Sequence, residues 1–478
     1  MVFDLSPRSP VKRPLFWPDW ILDLQEILLE QPNLPDIFVV GGAVRDALLH
    51  RPVKDIDLAT PEHAIRLARR ITDILDGDIF VMDEERGVAR VFFRTQEGEQ
   101  LTIDVADFRA GSLLDDLLAR DFTLNAIAVD FLADLGQIID PLNGESDAND
   151  HILRRCSPHS LVDDPIRCLR GVRQSVQLGT RIEPQTLADI RRLAPEIART
   201  SPERIRDEFV NLLSVEKPSS ALRIAKAVGV LDVALPQVAA MTTDDWLFTL
   251  NAVERLNDIL LAISFRRTDN TAAAFDLGMM VMQFDRYRKQ LNEQINAAWA
   301  NNRPNRSLLF LATLIYVLGQ EKQAIGRIAD TLRLSVPEKR QLVAYIQAAA
   351  EIISMETDDK LMLHRYWYRW QESGGIGAVL VAIAVARASY NVELEQNAWL
   401  ALIERARSLL AAYFDLYEEI VQPPALVDGH LLKQTLNMGD GPVIGDLLSL
   451  IREAQVTGEV STQDEALQLA ENYLKSQN

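Results

Sequence analysis

Val39-Val40-Gly41-Gly42-Ala43-Val44-Arg45-Asp46-Ala47-Leu48-Leu49-His50-Arg51-Pro52-Val53-Lys54-Asp55-Ile56-Asp57-Leu58-Ala59-Thr60 is the stretch that decides the fold. Asp36 to Val40 is apolar and partly β-branched, which predicts a buried strand. Gly41 and Gly42 let the backbone turn sharply and approach a ligand. Ala43 to His50 then reads as a helix stopped by Pro52, and the free N–H groups at such a helix start favour phosphate. Asp55 to Thr60 reads as a second strand, on which residues i and i+2 share a face, so Asp55 and Asp57 project side by side. Two carboxylates held together repel unless a proton or cation lies between them, and a hard divalent ion such as Mg²⁺ suits the pair. The plain alternative is two solvated aspartates beside an ordinary turn. The order strand, glycine turn, helix start, carboxylate strand favours a nucleoside triphosphate bound on two metal ions.

Working outward, Ile79–Met82, Val88–Phe93 and Leu101–Asp107 also read as strands, with Asp83-Glu84-Glu85-Arg86-Gly87 as a hairpin turn. Asp104 lies on the last of these. A third carboxylate there would complete a metal site, whereas the bland reading is a solvent-facing strand residue. Pro141-Leu142-Asn143-Gly144 closes this α/β region. From about residue 150 the pattern is helical throughout: Asp163–Leu178, Pro184–Ala194, Pro202–Leu213 and Ala221–Val228 all carry helical periodicity. The expected fold class is therefore α+β: a small mixed-sheet head on a long all-α neck, body and tail. The expected divisions are a leader helix in 1–30, a catalytic head in 31–145, a neck in 146–215, a body in 216–420 and a tail in 421–478.

Composition narrows the class. With 478 residues the chain can build several cores, and two cysteines, Cys156 and Cys168, imply no disulfide framework, so a reducing cytosol is the default compartment. Lys12 and Arg13 are followed by no long apolar run, so no signal peptide is expected, and the apolar stretch Ile376–Ala386 is too short to span a bilayer. A net charge of −19 argues against a general nucleic-acid binder. The distribution matters more: residues 101–150 hold eleven Asp/Glu and two Arg, whereas 151–200 hold nine Arg and five Asp/Glu. A locally basic surface can still take an RNA backbone, with an affinity that weakens with salt.

Two further motifs carry chemistry. In Arg120-Asp121-Phe122-Thr123-Leu124-Asn125-Ala126-Ile127-Ala128, Arg120 is a fixed cation that can reach a phosphate or ribose. Taken alone, the segment would cap an amphipathic helix. In Asp163-Asp164-Pro165-Ile166-Arg167-Cys168-Leu169-Arg170-Gly171-Val172-Arg173, Pro165 suits a first turn, and Arg167, Arg170 and Arg173 recur every three residues. Three cations near one face call for an anion, either a phosphate or acids on a neighbouring helix.

Gly-Gly-x-Val-Arg-Asp followed by Asp-x-Asp resembles the head of class II tRNA nucleotidyltransferases and bacterial poly(A) polymerases. Residues 120–126 resemble that family's Arg-Arg-Asp-Phe-Thr-x-Asn-Ala, with Ala119 in place of the first arginine. The resemblance implies that Gly42 and Arg45 contact the incoming nucleotide, that Asp55 and Asp57 hold the magnesium ions, and that Asp164 and Arg167 read the base. The base logic follows from donor patterns. Cytosine and adenine both present an exocyclic amine beside a ring-nitrogen acceptor, so a carboxylate and a guanidinium hold either one; uracil and guanine offer an oxygen where the amine should be. Arg170 and Arg173 would then hold the phosphates. Ser201-Pro202-Glu203-Arg204-Ile205-Arg206-Asp207-Glu208 resembles the last shared motif, where Glu203, Arg204 and Glu208 are expected to brace helices by ion pairs.

The resemblance implies template-independent addition of C and/or A, from CTP and ATP, to tRNA 3′ ends with release of pyrophosphate. A poly(A) polymerase or a CC-only or A-only enzyme shares these motifs, and a non-catalytic RNA-binding scaffold is the distant alternative. The partners expected are tRNA or another RNA 3′ end and nucleoside triphosphates, with no membrane; oligomeric state is not encoded in these motifs. Many relatives carry a His-Asp phosphohydrolase domain after the stem. Residues 307–346 look like its skeleton, but Leu314-Ile315-Tyr316-Val317-Leu318 stands where His-Asp is expected, and no histidine lies between His159 and His364. A helical remnant without that metal site is expected. Pro424–Gly429, Asn437–Gly445 and Glu453–Glu459 punctuate a small C-terminal helical unit, as turns and caps first and as RNA contacts second.

Overall fold

The computed structural model describes residues 8–95, 98, 100–109, 111–265, 275–298, 303–319, 321–389 and 395–477. Two compact units emerge. The first runs to Glu208 and includes Ile224–Ala234; the second comprises Phe209–Arg223 and the chain from Leu235 onward.

In the first unit, six strands form one sheet: β1 (Phe38–Val40), β2 (Asp55–Thr60), β3 (Asp78–Asp83), β4 (Val88–Arg94), β5 (Gln100–Asp107) and β6 (Ala128–Asp130). Their order is β3-β4-β5-β2-β1-β6. Only β2 and β5 run parallel; the other neighbours are antiparallel. The period-two pattern of the strands splits the side chains between two faces. On β2, Ile56 and Leu58 are buried in a core shared with the helices α1 (Asp19–Leu29), α2 (Gly42–Leu48) and α3 (Ala64–Leu75). Asp55 and Asp57 face the other way. The register places Asp57 opposite Asp104 and Asp55 opposite Thr102. The same rung continues from Asp104 to Arg90 on β4 and from Arg90 to Phe80 on β3. A second apolar cluster, including Phe38, Val40, Ala59, Leu113 and Leu117, supports this side of the sheet near α4 (Leu113–Leu118).

Two local expectations change. Residues 123–128 do not open a helix. Thr123–Asn125 is a single 3₁₀ turn, and Ala128 enters β6, where it pairs with Val40. Ala128 and the β-branched Val129 pair with β1, and that tertiary pairing overrides the capping pattern. The helix expected over Asp163–Leu178 is broken. Ser160–Asp163 forms one turn, Asp164 is extended with φ −145° and ψ 92°, and α5 begins afterwards (Ile166–Leu178). Pro165 disfavours helical geometry at the preceding residue, which puts Asp164 at the break. Then follow α6 (Pro184–Leu193) and α7 (Pro202–Leu213).

The second unit is helical. Its centre is α11 (Gly375–Ser389), buried along nearly its whole length and packed by α8 (Thr243–Ile263), α9 (Asn305–Ile315) and α10 (Val336–Ser354). Leu314 and Ile315 are core residues of α9. The C-terminal helices, Gly429–Leu436, Pro442–Thr457 and Gln463–Gln477, close around Leu432, Leu447, Ile451, Ala466 and Ala470. No single helix among the described residues is long and apolar enough to cross a membrane.

Candidate active site

The site grows from the turn after β1. Gly41 adopts φ +77°, which disfavours any side chain. A Cβ there would stand 2.9 Å from Arg120 Nη1 and 3.1 Å from Asp57 Oδ2. The glycine thus lets the backbone pass between a cation and a carboxylate. A cavity of about 820 Å³ opens beside it, lined by Asp57, Asp104, Asp107, Arg109, Asp116 and Arg120 together with Glu85 and Arg86 of the hairpin.

Asp57 is reachable by water through this cavity yet closely surrounded by protein atoms. That desolvation, and then the nearby Asp104, raise its carboxyl above the ordinary aspartate value; Arg120 and Arg109 act in the opposite sense. Asp55 is exposed and accepts a hydrogen bond from Thr102 Oγ1. Asp104 is gripped by Arg90, whose Nε and Nη2 reach its two oxygens at 2.6 and 2.7 Å. The donor set fits a hard divalent ion: three carboxylates on neighbouring parallel strands, one of them raised by desolvation and by its neighbour Asp104. The three are not gathered, however. Among the described residues no group of three His, Cys, Asp or Glu side chains converges enough to hold a metal ion. Asp55 is held by Thr102 and Asp104 by Arg90. Neither cysteine competes as a nucleophile, because burial pushes the Cys168 thiol up to about 12 and Cys156 higher still.

Arg120 faces the cavity. Its Nε and Nη2 donate to Asp116 Oδ2 at 3.2 and 2.9 Å, and it lines the cavity close to Gly41. Asp116 and Arg109 were not singled out from the sequence. Asp116 is buried and also accepts the Arg109 backbone N–H at 3.2 Å, with the Arg109 Nε 3.9 Å away. The i, i+4 spacing of Asp116 and Arg120 is the signal that could have found the pair. Burial and then the like charge of Arg120 lower the Arg109 guanidinium, so the two arginines form a cluster with more positive charge than Asp116 balances.

Gly42 and Arg45 do not line the cavity. Arg45 is buried, donating to both Asp46 oxygens at 2.9 Å and to Asn125 Oδ1 at 2.8 Å. Asn125 in turn donates to Asp121 Oδ1 at 2.9 Å and Gln174 Oε1 at 3.1 Å, which ties the 120–125 segment to α5. Gly171 completes that junction, since a Cβ there would meet Phe122 Cζ at 2.9 Å.

On α5 the three arginines separate in role. Arg167 Nη1 donates to Ser160 O at 2.9 Å, and its Nε is buried without a hydrogen-bond partner, 3.7 Å from Asp164 Oδ2. Asp164 Oδ2 also takes Arg204 Nη2 at 2.8 Å. Arg170 and Arg173, expected at phosphates, have acidic partners within the protein. Arg170 lies 3.3 Å from Glu208 and 3.4 Å from Asp121, and Arg173 donates to Glu208 and, at 2.7 Å, to Gln177. The anion they called for comes from α7 and the 120–125 segment. Burial alone would raise the Asp121 carboxyl, but Arg170, Asn125, the Phe122 N–H and Arg167 together bring it below the ordinary value. Glu208 braces α5 through Arg170 and Arg173, Arg204 holds Asp164 at the break before it, and Glu203 is exposed.

With this geometry, comparison with known proteins is direct. The family profile described as the poly A polymerase head domain matches residues 37–154, and that described as a probable RNA and SrmB-binding site of polymerase A matches 179–242. A CC-adding tRNA nucleotidyltransferase of Synechocystis is 30% identical over 444 residues, covering 92% of this chain and 94% of its own. The chain belongs to the class II tRNA nucleotidyltransferase family. An A-adding tRNA nucleotidyltransferase of Deinococcus radiodurans is 29% identical over 463 residues, covering 91% and 95%. Among solved structures, the Bacillus stearothermophilus CCA-adding enzyme in complex with CTP superposes with a TM-score of 0.64 at 21% identity, covering 97% of this chain and 99% of its own. The Thermotoga maritima CCA-adding enzyme complexed with tRNA superposes at 0.57 and 21%, covering 96% of each. These structures show that this tRNA nucleotidyltransferase shares their fold. The chain is a nucleotidyltransferase, and a poly(A) polymerase is not favoured, since the relatives named here that align along the whole chain are tRNA enzymes.

Proposed function

We propose that this chain adds C, A or both to the 3′ end of tRNA from CTP and ATP without a template, with Asp55, Asp57 and Asp104 as the magnesium ligands. The observation that carries the reading is the rung Asp57–Asp104 at a cavity whose other lining includes the Arg109–Arg120 cluster. Magnesium bound there would polarise the α-phosphate and lower the pKa of the attacking hydroxyl. The chain's own residues do the positioning. Arg109 and Arg120 carry charge that Asp116 leaves unbalanced, and this suits the triphosphate better than Arg170 and Arg173, which Glu208 and Asp121 neutralise. Arg45 supports Asn125 behind the turn, and Gly41 and Gly42 keep the backbone low enough for the phosphates. Asp164 and Arg167 read the base: the unpartnered Arg167 Nε is a donor in want of the ring-nitrogen acceptor that cytosine and adenine share.

The test is incubation of the protein with tRNA ending before, within and after CCA, supplied with each nucleoside triphosphate in turn. Extension with CTP or ATP and refusal of UTP and GTP is expected, and Asp57→Ala is expected to abolish incorporation while the fold persists. Near-normal incorporation by Asp57→Ala would sink the assignment. Relatives named for CC addition and for A addition align equally well along the chain, so the same assay sets the product: extension that stops after two cytidines with ATP present means CC addition alone.

A further inference from the structure

Asp104 meets a guanidinium at both of the oxygens that a metal ion would use. Arg90 Nε lies 2.6 Å from Oδ1 and Nη2 2.7 Å from Oδ2. The pair stands on one rung of the sheet, Asp57–Asp104–Arg90–Phe80. A bidentate guanidinium takes lone pairs on both oxygens that a chelating divalent cation would use, and each cation repels the other's charge. We propose that Arg90 is a stand-in cation: it holds Asp104 in the metal-free protein and must release it for the ion to bind.

The inference rests on the magnesium reading above and deepens it. Arg90 also responds to the whole carboxylate group. Its guanidinium is raised first by the bond to Asp104, against the effect of burial, and further by Asp104, Asp55 and Asp57 as charges. Release has a destination. The next residue on the rung, Phe80, is 61% exposed, and an exposed ring face takes a guanidinium. The grip is loose enough to exchange, since Arg90 and Asp104 keep 38% and 30% of their side-chain surface accessible, the range in which an ion pair is weak. The competing explanation is a cross-strand ion pair that only fixes the sheet.

Mn²⁺ binding to the full chain, without nucleotide or RNA and followed by the electron paramagnetic resonance of the free ion, separates these. Wild type, Arg90→Gln, Asp104→Asn and the double variant form a cycle. Arg90→Gln is expected to tighten Mn²⁺ about two- to fivefold, and the double variant is expected to bind as Asp104→Asn does. Arg90→Lys, which keeps the charge but loses the fork, is expected to fall between wild type and Arg90→Gln. Unchanged or weaker binding in a folded Arg90→Gln protein overturns the proposal. So does tightening that persists fully in the Asp104→Asn background, because that is long-range repulsion and not competition for one carboxylate. Asp57→Ala is the control for the underlying reading. If it binds Mn²⁺ as wild type does, the metal assignment fails; if it loses Mn²⁺ while Arg90→Gln gains nothing, only the role of Arg90 fails.

Discussion

Asp57 stands on one rung with Asp104 and is desolvated by the walls of the cavity, so its carboxyl is raised above the ordinary aspartate value. In a metal-free protein this favours the protonated form of the folded state. The stability that Asp57 contributes is present below its unfolded pKa of about 3.9 and is lost as pH rises through the higher folded value. At neutral pH the ionised group therefore weakens the fold. Asp57→Asn is expected to melt at a higher temperature than wild type in chelator at neutral pH, with the difference closing as the pH is lowered towards 4, and scanning calorimetry across that range checks it. Added magnesium should raise the wild type and not the variant. Equal melting temperatures at every pH would mean that the cavity does not desolvate Asp57. At this scale the sequence was readable where chemistry is carried by spacing, as with Asp55 and Asp57. Arg90, Arg109 and Asp116 had no such spacing signal tying them to the carboxylates: the sheet register brings Arg90 to Asp104, and the path of the chain after β5 brings Arg109 and Asp116 to the cavity.

The helix α5 shows how an element can be legible while its partners are not. Its arginine period was plain, and the demand for an anion was sound. The anion was supplied by Glu208, on a helix whose first turn lies more than thirty residues away, and no local pattern could name it. Strands fared better than turns for the same reason. The runs β2 to β5 alternate against one core and are fixed by their own pattern, whereas the segment after Arg120 was decided by an edge of β1 that its own residues do not reveal. Glu208→Gln tests the bracing role. Glu208 is nearly buried, but Arg170 keeps 34% of its side chain accessible, so the loss is expected to be about 2 kcal/mol, below the roughly 3–5 kcal/mol of a fully buried pair. Urea unfolding should show the shift, with the KM for CTP and ATP nearly unchanged. If the two arginines instead served nucleotide phosphates, freeing them would tighten the nucleotide, and a lower KM at unchanged stability would count against the brace.

For the whole chain, a net charge of −19 sets the terms on which a polyanion is bound. General attraction is absent, so RNA must be held by a few local cations and by the proposed ion. The acidic run 101–150 and the arginine-rich run 151–200 divide that labour: the first contributes Asp104 to the proposed ion site, and the second offers charge beyond what its own acids absorb. Part of even that charge is internal, because Arg170 and Arg173 are spent on Glu208 and Asp121 and Arg155 on Asp189. Few phosphates are therefore neutralised directly. If three to five are, the dissociation constant for an RNA with a free 3′ end should follow salt with a logarithmic slope of about 2 to 4, using about 0.7 per contact for a single strand. Fluorescence anisotropy between low and physiological salt measures it. A slope near 7 or above would require a basic surface of some ten contacts, and RNA binding would then have to be assigned to the helical units away from the carboxylates.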